Sequence, residues 1–256
     1  MNFEVDGQKA FAYTANHAFE KGKPTMIFIH GAGLDHSSFA LQSRYFGYHG
    51  WNVLAVDLPG HGRSAGAPIS SVSGMAEWIL KAVPAEKFSI VGHSMGSLVA
   101  LECAARVPTR VERIAMIGVA YPMKVGEAFL DAAKRDHYDA FDMHTIWGHA
   151  AQVPLGGNPS PGMWMYGDTQ ARLERLGPGV LYNDLKACND YVLEGEIACP
   201  ALFILGKRDV MTPPKGAAAL SQKIPNSKSV VIDFSGHSLM AEAPDATLDA
   251  LVQFLN

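Results

Sequence analysis

Three side chains of this 256-residue chain have the types and the order that acyl transfer requires. Ser94 lies in Gly92-His93-Ser94-Met95-Gly96, Asp209 ends Gly206-Lys207-Arg208-Asp209, and His237 lies in Ser235-Gly236-His237-Ser238. A serine hydroxyl is a weak nucleophile. It attacks a carbonyl when held exposed beside a histidine that takes its proton, an acid that orients the histidine, and N–H groups that receive the oxyanion. The G-x-S-x-G pentapeptide alone is a weak signal, since this composition supplies one by chance in about one of seven such chains. Its placement carries the weight: the strand-like run Phe88 to Val91 precedes it and the helix-like run Leu98 to Leu101 follows. In such a sharp turn, glycines at both flanks let strand and helix approach where side chains would collide.

The elements that must hold these residues alternate between strand and helix. Phe3 to Asp6 and Ala10 to Thr14 read as a hairpin around Gly7. Buried-strand runs follow at Thr25 to Ile29, Asn52 to Val56, Phe88 to Val91, Arg113 to Ile117, Ala201 to Leu205 and Ser229 to Ile232. Helices are expected at Ser37 to Tyr48, after Ser94, near Pro214 to Lys223 and at Pro244 to Leu255. Short apolar strands separated by helices imply an α/β fold, a mostly parallel eight-stranded sheet covered on both faces. In open sheets of this kind, sites gather at the carboxyl ends of the strands. Asp209 follows one late strand and His237 the next. Asp209 also has a bland role available as a helix cap, and His237 as an ordinary loop residue, whereas His93 points away from where a base should stand and is expected to be structural.

The oxyanion donors are expected to be the amide of Met95, at a helix N-terminus, and that of Ala32, between glycines in His30-Gly31-Ala32-Gly33. Residues 121–197 differ in character. They carry Met123, Met143, Trp147, Met163, Trp164, Met165, Tyr166 and Tyr182, around a Gly/Pro-rich stretch at Pro154 to Gly162. Two or more amphipathic helices there would form a helical cap, with residues 1–120 and 198–256 as the core domain. Adaptable Met and flat aromatic side chains on the cap's underside suit an apolar pocket. Leu34, Met143, Trp147, Trp164 and Leu239 are the candidate substrate-binding residues.

Five motifs, in order, resemble the α/β-hydrolase superfamily nearly end to end: His30 to Gly33, Asp57-Leu58-Pro59-Gly60-His61-Gly62-Arg63-Ser64, Gly92 to Gly96, Gly206 to Asp209, and Gly236-His237. The resemblance implies an α/β-hydrolase fold with Ser94, Asp209 and His237 as catalytic triad, and no cofactor. Relatives that form alkyl-ester intermediates use aspartate at the elbow, so serine here implies acyl chemistry. Carboxylesterase is the broadest fit. Lactonases, thioesterases, perhydrolases and carbon–carbon bond hydrolases look similar, although the last group typically has tryptophan after the histidine where this chain has Ser238. A non-enzymatic ligand sensor is the alternative outside catalysis.

Other readings carry less. Gly60 to Ala65 nominally matches a dinucleotide fingerprint, but its continuation to Gly66-Ala67-Pro68 does not open a helix. His137, His144 and His149 can share a helical face without an accompanying metal motif, so a solvated face is expected and no metal. Cys103, Cys188 and Cys199 have neither disulfide-framework nor metal spacing. A net charge of −4 without a Lys/Arg cluster gives no footprint for nucleic acid or an anionic membrane. The N-terminus lacks a signal-peptide pattern and no run reaches membrane-spanning length, which points to the cytoplasm. A small-molecule ester is the expected partner. Oligomeric state is left open.

Overall fold

The computed structural model describes residues 1–136, 138–156 and 163–255. Eight strands form one sheet in the order β1-β2-β4-β3-β5-β6-β7-β8: β1 Asn2–Val5, β2 Gln8–Tyr13, β3 Thr25–Ile29, β4 Asn52–Asp57, β5 Phe88–His93, β6 Val111–Ile117, β7 Ala201–Gly206 and β8 Ser227–Ile232. β1 and β2 run antiparallel, and β2 pairs antiparallel with β4, while every other neighbour is parallel. The hairpin turns at Asp6 and Gly7, both at positive φ, which closes it tightly.

The strand pattern explains the layers. On β3, Ile27 and Ile29 face one core with Leu54, Val56 and Ile90, whereas Met26 and Phe28 face the other with Val53, Ala55 and Val91. Alternate residues of a strand point to opposite faces, so a run apolar at every position must be covered twice. One face is covered by α2 Val72–Ala82 and α3 Met95–Arg106, the other by α1 Ala40–Tyr48 and α10 Pro244–Leu255. Burying each of Phe28, Phe39 and Phe46 on that second face contributes about 1.5–3 kcal/mol.

Between β6 and β7 the chain builds α4 Glu127–Lys134, α5 Asp139–Trp147, α6 Met165–Leu173 and α7 Val180–Asp190. Residues 157–162 of the Gly/Pro-rich stretch lie outside the described residues. The short helices α8 Lys215–Ser221 and α9 Leu239–Glu242 complete the chain's order. Differences from expectation are local. The helix expected from Ser37 opens as a 3-10 turn, His36–Phe39, because Asp35 accepts the Ser37 N–H and caps it there. α2 has no counterpart in the sequence reading; its Ser71 cap bonds the amide of Gly74, a residue that weakens the helical pattern in the first turn. Among the described residues no helix is long and apolar enough to cross a membrane.

Candidate active site

Ser94 stands between β5 and α3 with φ 51° and ψ −115°, a conformation that an L-residue adopts only when its surroundings force it. Its N–H bonds Ile117 O at 2.9 Å, and its carbonyl accepts Ser97 N–H at 2.9 Å. The flanking glycines are required by contact. A Cβ on Gly92 would meet Gly96 O at 2.2 Å, and one on Gly96 would meet Ile29 O at 2.1 Å. α3 is therefore pressed against the end of β3, with Met95 N–H among the unpaired amides at its N-terminus.

Asp209 and His237 leave adjacent parallel strands and meet. His237 Nδ1 lies 2.7 Å from Asp209 Oδ2. The carboxylate also accepts Met211 N–H at 2.9 Å, Thr212 N–H at 2.8 Å and the Thr212 hydroxyl at 2.7 Å. Burial opposes its ionisation, but the His237 ring and these donors more than offset that, so its pKa falls below the usual carboxylate range. An ionised carboxylate can only accept, so in the 2.7 Å contact the proton is carried on Nδ1 of His237. Asp209 thus both orients the imidazole and caps its own loop.

The His237 loop is braced from three sides. His93 Nε2 donates to His237 O at 2.9 Å, and burial foremost holds the His93 pKa down to about 3, so it is a neutral, structural donor as expected. Glu242 accepts Gly236 N–H at 2.9 Å and Ser238 N–H at 3.1 Å, the amides on either side of His237, together with Ala150 N–H at 3.0 Å. Gly148 O accepts Ser238 N–H at 2.9 Å and its hydroxyl at 2.7 Å.

The His30–Gly33 loop follows β3. Gly31 O accepts His30 Nδ1–H at 2.9 Å and Leu34 N–H at 3.2 Å, while His30 Nε2 accepts Leu58 N–H at 3.2 Å. Ala32 O accepts His144 Nε2–H at 3.0 Å, and Gly33 N–H donates to Asp184 Oδ2 at 2.9 Å. Ala32 N–H makes no hydrogen bond among the described residues.

Ala32 and Ser94 share one cavity of about 200 Å³, whose apolar wall is Met123, Val125, Phe129, Trp147, Leu185 and Met211. His144 lines it too and also borders a second cavity of about 70 Å³ that reaches His93 and His237. Of the candidate substrate-binding residues, Trp147 is on the Ser94 cavity and Leu34 on the His237 cavity. The other three line neither. Met143 packs against the core. Leu239 is wholly buried in the core shared with α10. Trp164 is 71% exposed, its indole lying against Gly167 on the surface. The histidine face expected to be solvated is instead buried. His144 and His149 are 6% and 3% exposed, and burial foremost lowers both pKa values, that of His144 to about 4. His144, on α5, has a backbone acceptor at Ala32 O, and His149, just past the end of α5, has one at Thr145 O, 2.8 Å away. His137 lies outside the described residues.

Thr212, Glu242 and Asp184 were not singled out in the sequence, and His61 entered only as part of the Asp57–Ser64 motif, with no role of its own. Among the described residues, one group with ligand-type atoms converges, Asp35, His36 and Asp57. The Asp57 carboxylate there already receives His36 N–H, the His36 ring and Arg63 N–H, each at 2.8 Å, which makes it a loop brace.

A family model described as alpha/beta hydrolase family matches residues 26–250, and the chain belongs to that family of hydrolases. Relatives include the (E)-2-((N-methylformamido)methylene)succinate hydrolase of Acinetobacter baylyi, 23% identical over 93% of this chain and 93% of that protein. The pimeloyl-[acyl-carrier protein] methyl ester esterase of Chromobacterium violaceum is 28% identical over 80% of this chain and 83% of its own length. A solved thermophilic esterase superposes with a TM-score of 0.82 at 26% identity, covering 100% of this chain and 96% of that one.

Proposed function

We propose that the protein is a serine hydrolase that cleaves carboxylic esters of small to medium, largely apolar substrates through an acyl-enzyme intermediate. The observation that carries this reading is the buried Asp209–His237 pair after β7 and β8, with a serine held at φ 51° after β5 of the same sheet. His237 Nε2 takes the Ser94 hydroxyl proton as the oxygen attacks the ester carbonyl, and the Ala32 and Met95 amides receive the oxyanion. Collapse expels the alcohol, which takes the proton from His237. Water, deprotonated by the same nitrogen, then releases the acid and restores Ser94.

The apolar wall around Ser94 supports an apolar acyl group, and about 200 Å³ is below the roughly 300–1,000 Å³ common for drug-sized ligands. Residues 121–197 act as the cap on a core of 1–120 and 198–256. Phe129, Trp147 and Leu185 of α4, α5 and α7 supply cavity wall over Ser94, which supports that division. Relatives named as esterases agree with ester chemistry.

The test is hydrolysis of a short, medium and long acyl ester series by the wild type and Ser94→Ala. Because triad members act as a unit, Ser94→Ala is expected to lose roughly a million-fold in turnover. A variant retaining a tenth of wild-type activity would remove Ser94 from the mechanism.

A further inference from the structure

The amide that would receive the oxyanion on the β3 side belongs to the Gly31–Ala32 peptide, and the chain around it is pinned with unusual completeness. Gly31 O is held by His30 and Leu34. The next peptide is held at both ends, its carbonyl by His144 of α5 and its N–H by Asp184 of α7. Gly33, at φ +67°, is packed closely: a Cβ there would meet Leu173 Cδ2 at 2.9 Å and Leu181 Cδ1 at 3.1 Å.

Asp184 is fully buried, and the same Oδ2 that accepts Gly33 N–H accepts His61 Nε2 at 2.8 Å. Nδ1 of His61 faces Pro59 O at 3.1 Å. Both ring nitrogens therefore face acceptors, an arrangement that a doubly protonated imidazolium satisfies and a neutral ring cannot. A buried ion pair is seldom a gain in stability over apolar packing. Its presence on the peptide next to the nucleophile's oxyanion donor calls for a different role.

We propose that Asp184, held by His61, is a positioning residue for the oxyanion site. By fixing Gly33 N–H it sets the tilt of the Ala32 amide toward the tetrahedral oxygen, so that α7 of the inserted segment governs turnover. The proposal rests on Ser94 as nucleophile.

The test compares wild type, Asp184→Asn and the double variant Asp184→Leu/His61→Leu, which removes both charges and strands neither. Five quantities are measured: labelling of Ser94 by a fluorophosphonate, kcat and KM for 4-nitrophenyl butanoate per titrated site, and inhibition by a trifluoromethyl ketone and by its methyl ketone isostere. Loss of a well-placed oxyanion donor predicts a kcat lower by about 100-fold in the double variant, with KM unchanged. Trifluoromethyl ketone affinity falls in parallel, because its adduct places an oxyanion in the hole, and methyl ketone affinity holds. Asp184→Asn, which keeps one oxygen for Gly33, falls between, by about tenfold. A folded double variant with wild-type kcat would overturn the proposal, as would equal weakening toward both ketones. Should the double variant not fold, Asp184→Asn is judged by the same criteria. A wild type unlabelled at Ser94 would defeat the nucleophile reading itself, and the proposal with it, before any Asp184 variant is made.

Discussion

At the scale of single residues, the buried pair His61–Asp184 ties protonation to stability. Burial pulls the His61 pKa down, but the Asp184 carboxylate, by charge and hydrogen bond, outweighs it, and the net shift is upward. For Asp184, burial pushes upward and His61 together with the bonds from His61 and Gly33 carries it below the carboxylate range. The native state thus holds the His61 proton more tightly than the unfolded chain, whose histidine titrates near about 6.5. This stabilisation is full below that pH and is lost as pH rises through the elevated native pKa. The wild-type urea midpoint should therefore fall across that window, and His61→Gln should lack that component. Parallel midpoints for the two proteins would show that His61 carries no such linkage. Ser94, Asp209 and His237 stood out as candidates in the sequence because each follows a strand in a short motif. Asp184 and Glu242 did not, because Gly33 N–H is 151 residues from its acceptor and a lone carboxylate on an amphipathic helix resembles a solvated one.

Among the elements, the contact between α3 and β3 decides whether Ser94 and the His30–Gly33 loop come together. Gly96 permits it, and its absent Cβ leaves room for Ile29 O and His30 O, which a methyl would approach to 2.1 and 2.8 Å. Gly96→Ala must push the end of β3 away, at about 3 kcal/mol, which lowers Tm by roughly 10 °C and displaces the His30–Gly33 loop. Gly126→Ala, where an added Cβ meets nothing within 4 Å, is the matched control and should melt with the wild type. A thermal melt in which the two variants coincide would remove close packing as the reason for Gly96. Most strands were readable because β3, β4, β5 and β7 are buried at every position, so their apolar runs are unbroken. α9 was not, since four residues carry no helical period; its value lies in placing Glu242 beneath the His237 loop.

For the whole molecule, the sheet carries Ser94, Asp209 and His237 at its strand ends and the helices between β6 and β7 supply much of the cavity wall. Trp147, 39% exposed at the cavity, is the largest side chain on that wall. Trp147→Ala should lengthen the accepted acyl chain, raising the octanoyl to butanoyl ratio of kcat/KM by roughly tenfold. An unchanged ratio would place the acyl group elsewhere, with the cavity bordering His237 next to be probed. The sequence indicated an adaptable aromatic and Met-rich segment, but Trp147 and Trp164 looked alike there, because only the fold sets Trp147 against Phe129 on the Ser94 cavity and leaves Trp164 on the surface. The bonds from His144 to Ala32 and from Asp184 to Gly33 bear on how such a molecule can diverge. One peptide of the core is gripped by two separate inserted helices, so a segment transplanted from a relative would have to bring an imidazole and a carboxylate to the same two points. The recipient would also have to keep His61. Pocket shape and the amides beside the nucleophile are then inherited as a unit, and chimaeras that respect only the segment's boundaries should lose both together.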